Sequence, residues 1–139
     1  MKTTKKVAIV PCSGIGKPYG TVSRVAAYQV TEQDHPEDTQ LIPLALLVLG
    51  DENYQQMLNE MPAITIDGCK LACATKMVQQ SGGKVAKDFA VMDGFRRYRQ
   101  FKPQGIAQLN EEGEKLADAL AQEIDQAVDQ LTQEGENHA

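Results

Sequence analysis

The chain has 139 residues, of which 42% are hydrophobic, and it carries a formal net charge of −5. This length corresponds to one ordinary domain, and the apolar content excludes a wholly disordered chain. The acidic balance argues against a general nucleic-acid binder, which would need a basic face. With no tryptophan, three phenylalanines and four tyrosines, we also expect no surface for base stacking.

The amino-terminal part predicts a strand, a loop and a helix. Residues 7–10 form a short apolar run typical of a strand that is buried on both faces. Residues 11–20 are rich in glycine and proline and predict a loop. The helix that follows begins with Thr21 or Ser23 as its cap.

The middle of the chain continues this alternation. Apolar runs predict a second strand at residues 41–46 and a third at 63–66, with a helix at 51–60 between them. A third helix is expected at 71–80, and residues 84–92 predict a fourth strand at an edge of the sheet. No apolar run is long enough to span a bilayer, so we expect no membrane partner.

The carboxyl-terminal part predicts one long helix. A basic segment at residues 93–100 and a loop at 101–105 precede it. Apolar residues recur every three or four positions across residues 110–131, which indicates an amphipathic helix. We therefore expect a single α/β domain over residues 1–133 and a frayed tail at 134–139.

Four short strands alternating with helices predict a small parallel sheet in three α/β/α layers. Right-handed crossovers and the small size favour the strand order 2-1-3-4. In this order the first and third strands are neighbours, and ligands bind at their carboxyl ends, where the chain progression reverses.

The three cysteines follow those two strands. Cys12 comes two residues after the first strand, Cys69 three residues after the third, and Cys73 four residues later. We expect them to converge at the switch point, with Cys69 and Cys73 on one helix face. Three cysteines do not make a disulfide framework, so we expect a reduced, cytoplasmic protein.

Three thiolates can hold a metal. A zinc site would then keep one position open or take Asp67 or a partner chain as its fourth ligand, and a four-iron cluster would keep one exposed iron. We therefore expect this site to bind a metal, together with a sulfur compound or a small anion. The nearby residues that could help to hold the ligand are Ser13, Gly14, Gly16, Lys17, Asp67 and Gly68.

Two further motifs carry less information. The segment from Gly14 to Lys17 departs from a nucleotide-binding phosphate loop because Pro11 and Pro18 occupy required positions. A glycine-rich loop before a helix can still hold an anion. The basic segment 96–99 with Lys102 predicts a solvated face or a contact with an acidic partner.

Several of these motifs together resemble the DGC-domain family. The residues that carry the resemblance are the segments 11–17, 44–51, 66–69 and 82–85 with Cys73, Ala74 and Lys76. The resemblance covers about residues 6–131. That family is described as zinc-binding, so the resemblance implies metal binding at Cys12, Cys69 and Cys73. The number of cysteines is also similar to that of small desulfidases, which hold a four-iron cluster on three cysteines.

Three functions remain open at this point. The first is a metal-binding protein that uses the three cysteines in metal or sulfur handling. The second is a metal-free thiol redox or sulfur-transfer enzyme, with Cys12 as nucleophile and Cys69 or Cys73 as the resolving thiol. The third is a structural or assembly protein that forms a homodimer through the amphipathic helix at 110–131.

Overall fold

The computed structural model describes residues 6–12, 18–68, 72–104 and 108–137, with side chains as far as residue 133. A π-helical turn over Gln29–Asp34 continues the first helix. The strands and helices in chain order are β1 Val7–Pro11, α1 Pro18–Tyr28, β2 Thr39–Leu41, α2 Leu44–Val48, α3 Glu52–Glu60, β3 Ala63–Asp67, α4 Cys73–Gln80, β4 Val85–Ala90, α5 Val91–Arg97 and α6 Glu111–Asn137.

The four strands form one parallel sheet in the order β2-β1-β3-β4, which confirms the predicted topology. Every residue of β1 and β3 is buried, whereas much of β4 is exposed, as expected for an edge strand. The register pairs Ala8 with Ala63 and Pro11 with Ile66. The carboxyl ends of β1 and β3 therefore meet at the same edge of the sheet.

The sheet separates two apolar cores, which gives the predicted three layers. Successive strand residues point to opposite faces. Ile9 and Ile64 pack with side chains from α1, α5 and α6, whereas Ala8 and Val10 pack with α2, α3 and α4. The apolar stripe of α6, which includes Leu116, is buried in the first of these cores.

The predicted second strand at residues 41–46 is wrong. β2 is only Thr39–Leu41, and its neighbours Leu44–Val48 form a helix. Pro43 is the N-cap residue of that helix, and Leu44 and Leu47 are buried on one side of it. Proline has no N–H for a strand ladder, and a short apolar run by itself does not distinguish a strand from a buried helix.

Other elements also differ from the prediction. α1 begins at Pro18, because proline suits the first turn of a helix, so Thr21 and Ser23 lie inside the helix and do not cap it. Much of the basic segment belongs to α5, Val91–Arg97. α6 continues to Asn137, beyond the predicted end at residue 131. No helix in the described ranges is long and apolar enough to cross a membrane.

Candidate functional site

Two strand ends form the candidate site. Cys12 follows β1 directly, and its backbone N–H donates a hydrogen bond to the carbonyl oxygen of Ile66 at 2.8 Å. β3 ends at Asp67, and Gly68 follows it. This pairing continues past the end of β1, so the cysteine after the first strand and the Asp-Gly pair at the end of the third strand are adjacent. The predicted meeting of these two strand ends is confirmed.

The sulfur of Cys12 is enclosed. Only 3% of the Cys12 surface is exposed. The Gly68 N–H donates a hydrogen bond to its Sγ at 3.2 Å, and the Oγ of buried Ser23 lies 3.8 Å from the same sulfur. The Ser23 hydroxyl also donates to the carbonyl oxygen of Gly20 at 2.6 Å. The Cys12 sulfur is thus approached by one donor from the end of β3 and one hydroxyl from α1.

The close packing at Gly68 requires a glycine. A Cβ atom at this position would lie 2.9 Å from both the Cα and the backbone nitrogen of Gly20 in α1. Those are backbone atoms, which cannot rotate away as the end of a side chain can. The absence of a side chain therefore lets the segment after β3 pack against the first turn of α1 and reach Cys12.

Both oxygens of the Asp67 carboxylate accept hydrogen bonds from the start of α4. Its Oδ1 accepts a hydrogen bond from the backbone N–H of Ala74 at 2.8 Å, and its Oδ2 accepts one from the Thr75 hydroxyl at 2.7 Å. The Thr75 Oγ also lies 2.7 Å from the Thr65 Oγ in β3. Asp67 thus satisfies one of the unpaired N–H groups that begin every helix, which is the usual role of a capping carboxylate.

Cys73 is the first residue of α4 and is exposed. The residue before it, Ala72, has φ 52° and ψ 48°, which is left-handed. α4 thus begins at Cys73, two residues later than the predicted start at residue 71. The prediction that Cys69 and Cys73 share one helix face depends on Cys69, which lies outside the described residues. Lys76 lies three residues after Cys73, about one turn further along α4, and is also exposed.

Several predicted site residues lie outside the described residues. They are Ser13, Gly14, Gly16, Lys17 and Cys69. Within the ranges that the structure describes, no three histidine, cysteine, aspartate or glutamate side chains are placed so that they could hold a metal ion. The three-cysteine ligand set therefore stays a prediction.

Three residues of the site were missed by the sequence analysis. Ser23 was interpreted only as a helix cap, and Thr65 and Thr75 were not singled out. Thr75, two positions into a helix that follows a strand-ending aspartate, carries a weak signal, because hydroxyls are common partners of carboxylates near helix starts. Thr65 carries no such signal, because a residue in a buried strand is expected to be buried whether or not it has a role in a site.

Two arginines of the basic segment pair with carboxylates of the same chain. Arg97 Nη2 donates a hydrogen bond to Glu123 in α6 at 2.7 Å, and Tyr98 Oη donates to the same carboxylate at 3.1 Å. This hydrogen bond to Glu123, together with its negative charge, raises the pKa of Tyr98. Arg96 pairs with Asp93 at 3.4 Å. These contacts favour the solvated-face interpretation over an acidic partner.

A model of the DGC domain matches residues 8–120. The chain belongs to the DGC-domain family. The matched part of this DGC domain includes all three cysteines, the Asp67–Gly68 pair and the four-stranded sheet except for the first residue of β1. No curated protein and no solved structure matches the chain significantly. The membership confirms the predicted family and does not by itself specify a function.

Proposed function

We propose that this DGC domain binds a metal through Cys12, Cys69 and Cys73 and takes part in metal or sulfur handling in the cytoplasm. The observation that carries the proposal is the 3.2 Å hydrogen bond from the Gly68 N–H to the Cys12 sulfur. Gly68 immediately precedes Cys69 in the chain. The residue that is hydrogen-bonded to the Cys12 sulfur is therefore followed directly by the second cysteine, and the third cysteine lies four residues after the second.

The donor chemistry at this edge suits a soft metal. Cysteine sulfur favours zinc and iron–sulfur clusters over magnesium or calcium. Ligating sulfurs commonly accept hydrogen bonds from backbone N–H groups, which orient the ligand and adjust its properties. Cys12 has such a donor in Gly68, and a hydroxyl in Ser23 lies nearby. These partners support a role for Cys12 as a ligand held in place.

Each residue of the proposed site would have a separate role. Cys12 would be a buried ligand fixed between β3 and α1, and Cys73 would be an exposed ligand at the start of α4. A zinc ion on three thiolates would supply a Lewis-acidic open position, and a four-iron cluster would supply one open iron. The segment with Ser13, Gly14, Gly16 and Lys17 would receive a sulfur compound or a small anion there.

The burial of Cys12 argues against the second interpretation, in which this thiol attacks a substrate. A reactive thiol needs access to its substrate, and only 3% of the Cys12 surface is exposed. The assembly interpretation loses its main support as well, because the apolar stripe of α6 packs into the core of the same chain. The metal-binding proposal needs neither an exposed Cys12 nor a free apolar face.

The test is anaerobic purification followed by metal analysis and an absorption spectrum, which separates zinc from an iron–sulfur cluster. We expect metal bound in the wild type and greatly reduced in each single Cys→Ser variant. Gln79→Ser, which changes an exposed residue of α4 without removing a sulfur, is the matched control for Cys73→Ser. A protein that stays metal-free after incubation with zinc or after cluster reconstitution would contradict the proposal.

A further inference from the structure

The carboxylate of Asp67 is the buried charged group nearest in sequence to Cys69, and it had been a candidate fourth ligand. Its exposed fraction is 4%, and each of its oxygens already accepts a hydrogen bond from α4. Both partners, Ala74 and Thr75, follow Cys73 immediately in the chain. The carboxylate therefore faces the beginning of the helix that carries Cys73.

The start of α4 depends on this contact from outside the helix. Ala72, its N-cap residue, makes no side-chain cap, and its left-handed backbone is unfavourable for a residue with a Cβ atom. Such a conformation persists only where the surrounding structure fixes it. The contacts that fix this end of α4 include the Asp67 carboxylate and the Thr75 hydroxyl, and the latter is itself held by Thr65 in the central strand β3.

We infer that Asp67 is a positioning residue for the metal site: its carboxylate caps α4 and so fixes Cys73 for binding, and it is not itself a metal ligand. This inference rests on the proposed function. It assigns separate roles to the residues of the Asp-Gly-Cys triplet: the aspartate holds the helix of Cys73, and the glycine holds the sulfur of Cys12.

Thr75 distinguishes a positioning carboxylate from a ligating one. Thr75→Val removes the hydroxyl that Asp67 accepts from but leaves the carboxylate intact. If Asp67 positions Cys73, this change loosens the start of α4 and weakens metal binding. If Asp67 were a ligand, the same change would free one oxygen for the metal and would not weaken binding. Thr75→Ser keeps a hydroxyl and should restore most of the affinity.

Asp51 provides a matched control. It is the N-cap residue of α3, and its carboxylate accepts a hydrogen bond from the Tyr54 N–H at 3.1 Å. Asp51→Asn therefore alters a capping carboxylate of the same chemistry, on a helix that carries no cysteine. Any loss of metal affinity that follows only from an Asp→Asn exchange at a helix cap should appear in this variant too.

The experiment measures Co²⁺ affinity of the metal-free full-length chain by chelator competition, together with the cobalt absorption spectrum at saturation and the thermal unfolding of the metal-free protein. We expect Asp67→Asn and Thr75→Val to bind Co²⁺ about tenfold more weakly than wild type, as is typical for the loss of a supporting contact. We expect Thr75→Ser and Asp51→Asn to bind almost normally. The spectrum of saturated Asp67→Asn should match that of wild type, because the thiolate ligands are the same.

Two results would overturn the inference alone. A changed cobalt spectrum in Asp67→Asn would show that Asp67 is a ligand. Co²⁺ affinities of Asp67→Asn and Thr75→Val equal to that of Asp51→Asn would show that the Asp67 cap does not position Cys73. Wild-type protein that binds no Co²⁺ would overturn the proposed function and this inference together. The failure of the inference is thus distinguishable from the failure of the proposed function.

Discussion

The amide nitrogen of Gly68 lies 3.2 Å from the Sγ of Cys12, although 56 positions separate the two residues in the chain. The parallel pairing of β1 with β3 brings them together, and the bond from the Cys12 N–H to the Ile66 carbonyl extends that pairing beyond the strand. The position of Gly68 in turn depends on the absence of a side chain, since the backbone of Gly20 fills the space beside it.

Gly68→Ala should therefore disturb both stability and the environment of Cys12. The added methyl group would lie 2.9 Å from backbone atoms of Gly20, so either α1 or the segment after β3 must move. We expect the free energy of unfolding to fall by about 1–3 kcal/mol, as is typical of overpacking. Urea unfolding measures this loss. Alkylation of Cys12 in the native state should become faster, because the Gly68 N–H is displaced from the sulfur.

Gly50→Ala is the control for that variant. Gly50 has φ +79°, and a Cβ atom there would meet nothing within 4 Å. Its substitution should cost about 1–2 kcal/mol through backbone strain alone and should leave the alkylation of Cys12 unchanged. Equal effects of the two variants on Cys12 would show that the packing at Gly68 does not protect the sulfur.

The described cysteines should differ sharply in reactivity in the metal-free protein. Cys12 is 3% exposed, whereas Cys73 lies on the surface at the first position of α4. Since alkylation requires access to the sulfur, we expect iodoacetamide to modify Cys73 in the native protein and Cys12 only after unfolding in urea. Peptide mapping by mass spectrometry gives the extent at each cysteine. Rapid native modification of Cys12 would instead support a nucleophilic role.

The sheet order and the meeting of Cys12 with Gly68 could be predicted, because both follow from the alternation of strands with helices and from the rule on parallel strand ends. The role of Asp67 could not. Its position after a strand suits either a ligand or a cap, and the cap became visible only in the hydrogen bonds that the carboxylate accepts from Ala74 and Thr75. The left-handed Ala72 was also hidden, because alanine usually favours helix and nothing in the sequence marks it.

The segment from residue 41 to 48 shows why an apolar run can mislead. Continuous apolar residues suit a strand buried on both faces, and they equally suit a short helix placed between the sheet and another helix. Pro43 was the available signal. It has no N–H with which to continue the hydrogen bonding to β1 beyond the bond from the Ile42 N–H to the Ile9 carbonyl oxygen, and it comes directly before the first residue of α2.

Leu47→Ala should destabilise the protein, whereas Leu49→Ala should not. Leu47 is 1% exposed in the core beneath α2, and Leu49, just after the helix, is 79% exposed. We expect Leu47→Ala to lower the free energy of unfolding by about 2–5 kcal/mol, and Leu49→Ala to change it by less than about 0.5 kcal/mol. Urea unfolding of both variants tests this. Similar losses would place the two side chains on one buried face, as in a strand.

A cluster of carboxylates surrounds His35 where the π-helical turn after α1 meets α6. The Nε2 atom of His35 lies 3.9 Å from Asp125 and 3.6 Å from Asp129, and Nδ1 lies 3.3 Å from Asp38. Burial, followed by the hydrogen bond and negative charge of Asp34, raises the pKa of Asp125 to about 7, and the neighbouring His35 opposes this rise. Asp125 thus keeps its proton in the folded chain at a pH where an unfolded aspartate has lost it.

This difference makes stability fall as pH rises. Between the unfolded pKa of about 4 and the folded pKa of about 7, the native state binds more protons at Asp125 than the unfolded chain does. The contribution of Asp125 to the free energy of unfolding is therefore fully present below about pH 4 and is lost as the pH rises through about 7. We expect the wild-type melting temperature to be lower at pH 8 than at pH 5, and Asp125→Asn to remove most of that difference by raising the value at pH 8. Glu114→Gln, which removes one exposed charge elsewhere on α6, should leave the pH dependence in place. Thermal melting of the three proteins at both pH values is the measurement, and an unchanged pH profile in Asp125→Asn would assign the titration to another group.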